Sequence, residues 1–68
     1  MKKGKYRHFK GGEYEVHGVA RHSETGEELV VYTPLYGGGG LSVRPLAMFQ
    51  ETVCKDGQEL PRFAFIDP

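Results

Sequence analysis

Glycine and proline punctuate this chain so closely that no long helix has room to form. Ten glycines and four prolines are spread through 68 residues, and in a helix interior each glycine costs about 1 kcal/mol relative to alanine and each proline about 3. The chain must therefore be built mainly from strands and turns. Glu13 to His22, EYEVHGVARH, sets Tyr14, Val16, Gly18 and Ala20 against polar neighbours with the two-residue period of a half-buried strand. Glu28 to Thr33, ELVVYT, is β-branched and aromatic and reads as a second strand. Between them Ser23 to Gly26, SETG, fits a type I turn and the three-residue hairpin loop that ends in a glycine bulge. That loop predicts a register in which Ser23 faces Glu27, His22 faces Glu28, Ala20 faces Val30 and Gly18 faces Tyr32. The expected core face carries Tyr14, Val16, Ala20, Val30 and Tyr32, with Gly18 giving the strand a sharp bend.

The remaining strands are short. Lys5 to Phe9, Leu41 to Arg44, Glu51 to Lys55 and Arg62 to Ile66 each have strand character, and Asp56-Gly57 is a strong hairpin signal. Pro45 to Phe49 suits a single 3₁₀ or helical turn, since proline starts such a turn without losing a needed donor and keeps Arg44 extended. The expected architecture is all-β: a small barrel or rolled sheet of about five or six short antiparallel strands with one such turn. A domain of about 60 residues buries only roughly 60% of its unfolded surface, so residues 1–68 make one domain at most, of modest stability. Residues 1–4 are expected to form a flexible tail.

Charge and cysteine content narrow the function classes. Nine Lys and Arg balance nine Asp and Glu, which leaves no global field to draw the chain to nucleic acid or to an anionic membrane. The single cysteine, Cys54, has no partner for an internal disulfide. No apolar run approaches the roughly 20 residues that span a bilayer, and no secretory signal core is present. The expectation is a soluble, cytoplasmic protein with no membrane partner.

Tyr6 to Gly11 (YRHFKG), Tyr14 to Tyr32 (YEVHGVARHSETGEELVVY), Leu35 to Gly37 (LYG) and Val43 to Phe49 (VRPLAMF) together resemble the family called Domain of Unknown Function 1653. The resemblance covers nearly the whole chain in the family's order. It implies an SH3-like β-barrel, found in bacteria as a small stand-alone protein or as a fused module, and it implies no activity. One departure is Ser42, which stands just before Val43-Arg44-Pro45 where the family pattern has Trp.

For chemistry, the tract Gly37 to Gly40 invites a phosphate-loop reading, but a P-loop needs a following Lys-Ser or Lys-Thr and a helix, and LSVR supplies neither. The tract serves either as a plain connection or as the rim of a site. Arg44 suits an anion anchor through its planar fork, or an ordinary strand arginine lying over an apolar face. Tyr36, beside the glycines, is suited to contact a ligand, whereas Tyr14 and Tyr32 read first as core. A candidate ligand site thus lies between the Tyr36 to Gly40 loop and the Arg44 to Phe49 turn, with Tyr36, Arg44, His8, Tyr32 and Met48 as its residues.

His17 and His22, an odd separation apart on one strand, point to opposite faces, and Cys54 has no CxxC companion, so no metal and no cofactor are expected. His22 beside Ser23 is no catalytic dyad, and no convergent acid, base and nucleophile is visible, which makes an enzyme the least expected class. The leading expectation is a non-catalytic module that binds a protein, peptide or small anionic ligand. The alternative is RNA or DNA binding through the N-terminal segment, where Lys2, Lys3, Lys5, Arg7 and Lys10 are five of the nine basic residues and are interleaved with Tyr6 and Phe9.

Overall fold

Seven strands and one helical turn follow one another along the chain: β1 (Gly4–His8), β2 (Glu13–Arg21), β3 (Glu28–Pro34), β4 (Ser42–Pro45), α1 (Leu46–Phe49), β5 (Thr52–Lys55), β6 (Gln58–Pro61) and β7 (Phe63–Asp67). The computed structural model describes all 68 residues, Met1–Pro68. Five strands form an antiparallel sheet in the order β4-β3-β2-β1-β7, and β5 and β6 form a separate hairpin. Asp56 (φ 54) and Gly57 (φ 78) make the turn of that hairpin; two consecutive positive φ values give a type I′ turn, whose twist matches the flanking strands. No helix is long and apolar enough to cross a membrane.

The all-β architecture and the helical turn follow the sequence reading, but the expected barrel does not close, because β4 and β7 are both edges. Pro45 deprives the end of β4 of an N–H and diverts the chain into α1, while an extra residue, Ile66, bulges β7 against β1. The sheet is nevertheless rolled. In a flat sheet the outer two of five strands would lie about 19 Å apart, yet the Arg44 guanidinium on β4 lies 5.5 Å from the Phe63 ring centre on β7. Side chains, rather than backbone ladders, span the seam.

The β2–β3 register differs from the expected one in two places. His22 faces Glu27, through a His22 N–H to Glu27 carbonyl bond of 2.7 Å. The loop is therefore four residues long rather than three, because His22 Nδ1 accepts the Glu24 and Thr25 amides at 3.1 and 3.3 Å and organises the turn. Arg21, not His22, then faces Glu28, and Ala20 faces Leu29 on the side away from the core. Farther along, a bulge at His17 places Gly18 opposite Val31 and Val16, not Gly18, opposite Tyr32. Beyond the bulge the two one-residue shifts add to two, a whole period of the strand, so side chains there return to the expected face although their partners differ. Tyr14, Val16, Val30 and Tyr32 consequently share the buried face as expected, while Ala20 is exposed.

The core comprises Tyr6, Tyr14, Val16, Val30, Tyr32, Phe49 and Phe63. Five of these seven are aromatic, and they pack mainly edge to face. Phe49 instead stacks on Phe63, parallel within 5° at a centroid distance of 4.0 Å, and is tilted at 48° to Tyr32. A helix of four residues has no stability of its own; α1 is held by burial of Phe49 to 1% exposure. Tyr6 donates its hydroxyl hydrogen to the Lys2 carbonyl at 2.7 Å, and Gly4 already belongs to β1.

Candidate functional site

The rolled sheet brings one side chain from each of its five strands to the open seam. Arg44 on β4 sits opposite Val30 and so projects from the core face. Its Nε donates to the Tyr32 hydroxyl at 2.7 Å, and its guanidinium lies 5.5 Å from the ring centres of both Tyr32 and Phe63. Tyr14 on β2 meets Tyr32 and Phe63 edge to face at 5.4 and 5.3 Å. His8 on β1 meets Phe63 at 4.9 Å. The β3–β4 loop adds Tyr36, half exposed, whose hydroxyl shares a 2.7 Å hydrogen bond with that of Tyr14. Gly12 leaves room for this ring: a Cβ there would lie 3.0 Å from Tyr36 Cε1.

Two features of the electrostatics stand out. Arg44 has no carboxylate partner, and the ion pairs of the chain are Arg7–Glu13 and Arg62–Glu51. His8 Nδ1 accepts the Lys10 amide at 3.1 Å, which places the proton of the neutral ring on Nε2 as a donor. Burial first, then the positive charges of Arg44, Arg62 and Lys10, hold the His8 pKa below its ordinary value. Burial and the bond to Tyr36 push Tyr14 up to about 12, with Arg44 working the other way; burial raises Tyr6 as well.

This shift has a consequence at alkaline pH. An unfolded tyrosine titrates near 10, so the folded state favours protonated Tyr14, and the stabilisation is complete below that pH and is lost as pH rises from 10 towards 12. The denaturant midpoint is expected to fall between about pH 10 and 12, and Tyr14→Phe is expected to shrink that fall. An identical pH dependence in wild type and variant would contradict the assignment.

Of the residues singled out from sequence, the seam thus unites Arg44, Tyr32, Tyr36 and His8. Met48 is exposed on α1, outside these hydrogen bonds and ring contacts. Gly37 to Gly40 form an exposed connection whose Gly39 packs against Pro34. The N-terminal basic residues do not form one surface. Arg7 is paired to Glu13 at 2.9 Å, Lys5 faces Glu15 and Asp67 across its neighbouring strands, and Lys2 and Lys10 lie over Phe65 and Phe9. Lys3 is exposed, with its side chain beside Gly18.

His17 bonds Thr33 at 2.8 Å and His22 caps its turn, so each has a local structural partner. No three His, Cys, Asp or Glu side chains converge in a way that would hold a metal ion. Sequence reasoning missed Phe63 and Arg62 as neighbours of His8; the RFAFI pattern marked a strand but carried no sign of which strand it would join. The largest cavity, about 470 Å³, adjoins the cluster at His8: His8 and Arg7 line it with Phe9, Leu60, Pro61, Ala64, Phe65 and Ile66, while Arg44, Tyr32 and Tyr36 do not.

The whole arrangement has a relative of known structure. A crystal structure of a protein belonging to DUF1653 from Bordetella bronchiseptica matches with a TM-score of 0.88 and 44% sequence identity, over 97% of this chain and 87% of that one. No curated protein matches. The family described as a protein of unknown function, DUF1653, matches residues 4–65. That span takes in every seam residue from His8 to Phe63, and by this match the chain belongs to the DUF1653 family.

Proposed function

We propose that this chain is a non-catalytic binding module and that its seam, around Arg44, Tyr32, Tyr36 and His8, recognises an anionic group on a small ligand or peptide. The observation that carries the reading is a hydrogen-bond count. Arg44 uses Nε on Tyr32 and makes no ion pair, so its two terminal nitrogens are free to donate. Tyr32, as acceptor from Arg44, keeps its own O–H to give. The Tyr14–Tyr36 pair shares one hydrogen and leaves the other, and His8 offers Nε2–H. Donors without acceptors, over a water-excluding aromatic floor, favour an oxyanion.

The half-exposed Tyr36 ring supplies an apolar surface for the rest of the ligand. Nucleic-acid binding has less support, since the N-terminal basic residues are dispersed and Arg7 is neutralised.

Amide chemical-shift mapping against peptides, small carboxylates, nucleotides and oligonucleotides tests the reading. Shifts are expected at Tyr36, Arg44 and His8. Arg44→Ala is expected to abolish them and, through loss of a charged hydrogen bond, to cost about 1.5 to 3 kcal/mol of stability. Arg44→Lys, which keeps the charge but not the fork, is expected to weaken binding with a smaller stability loss. Shifts clustered at Lys3 to Lys10 with oligonucleotides alone would overturn the proposal.

A further inference from the structure

We propose that the anion read at the seam is a phosphomonoester dianion on a small molecule, in preference to a carboxylate. The inference rests on the anion-binding reading above and adds the ligand class. Its basis is the sign of the charges gathered around His8. Lys10 belongs to the same loop, with its amide bonded to His8 Nδ1. Arg62 precedes Phe63, the residue opposite His8, and its carbonyl accepts the Phe9 amide at 2.9 Å. Arg44 rests on the same Phe63 ring as His8.

The positive charges of all three act on the one imidazole, and a single carboxylate, Glu51, answers them through Arg62 at 3.1 Å. Arg62 Nε is buried with no partner, so even that residue is incompletely satisfied. A carboxylate would neutralise one charge and fill at most about four acceptor positions. A phosphomonoester brings close to two negative charges and three strongly accepting oxygens, which matches the excess of two cations and the spread of donors from Arg44, Tyr32, the Tyr14–Tyr36 pair and His8. Side chains do this without a glycine-rich loop, so the missing P-loop pattern at Gly37 to Gly40 is no obstacle.

The test compares phenyl phosphate, inorganic phosphate and benzoate at constant ionic strength and pH 7.5, by amide shifts of the labelled full chain. Phenyl phosphate is expected to bind at least tenfold more tightly than benzoate, with shifts at His8, Tyr36 and Arg44. Lys10→Ala, at an exposed position, is expected to weaken phenyl phosphate severalfold while leaving benzoate nearly unchanged. Inorganic phosphate binding as tightly as phenyl phosphate would support the dianion and assign no affinity to the ring of the ligand. Benzoate equal to or tighter than phenyl phosphate, with the same shifts, would overturn the dianion and leave the anion site standing. Absence of binding by all three would remove both.

Discussion

Phe49→Ala is expected to remove a large part of the stability of this domain. Truncating a buried phenylalanine costs about 3 to 5 kcal/mol, and a chain of this size has roughly 3 to 10 kcal/mol in all. Phe49 is 1% exposed, stacks on Phe63 at 4.0 Å, and touches Tyr6 and Tyr32 at 5.6 and 6.2 Å. It is also the one buried residue of α1, so its loss frees the helical turn from the sheet. Equilibrium urea unfolding should show the midpoint falling by more than half or the fold lost at 25 °C. Phe49→Leu, which fills most of the space, should recover much of the difference. A loss below about 1 kcal/mol in the alanine variant would mean that the core is not organised around this ring.

Gly4→Ala is the second large effect, and its origin is backbone rather than core. Gly4 has φ +136, and a Cβ there would lie 2.6 Å from the Asp67 carbonyl oxygen and 2.8 Å from the Pro68 Cα. The strained conformation contributes about 1 to 2 kcal/mol, and the overlap about 1 to 3 more unless the β1–β7 pairing opens at that end. Gly11→Ala separates the two causes, since Gly11 also has positive φ (+106) but nothing within 4 Å of the added atom. Hydrogen exchange of the β7 amides should accelerate in Gly4→Ala and not in Gly11→Ala. Equal losses in the two variants would show that the contact with Asp67 and Pro68 carries no cost.

Much of the fold can be read along the chain because its causes are local. Glycine and proline spacing excluded long helices, Asp56-Gly57 marked the β5–β6 turn, and Pro45 marked the start of α1. The alternation of Tyr14 with Val16 and of Val30 with Tyr32 identified four of the seven core residues. Ala20 was misplaced because a bulge and a loop capped by a histidine side chain each change the register by one residue, and neither leaves a mark in a two-residue period.

The seam shows the same division. Arg44, Tyr36, Tyr32 and His8 were recognisable by type, since an arginine and phenols suit an anion and its aromatic floor. That they meet was decided by the roll of the sheet, which carries β4 round to β7 and sets Arg44 against Phe63, 19 positions later in the chain. Sequence alone settled which residues prefer strands, turns and burial, because those preferences act over a few neighbouring positions. Only the tertiary structure settled which edges approach and which donors are left without partners, because curvature accumulates over all five strands and is written in no single one of them.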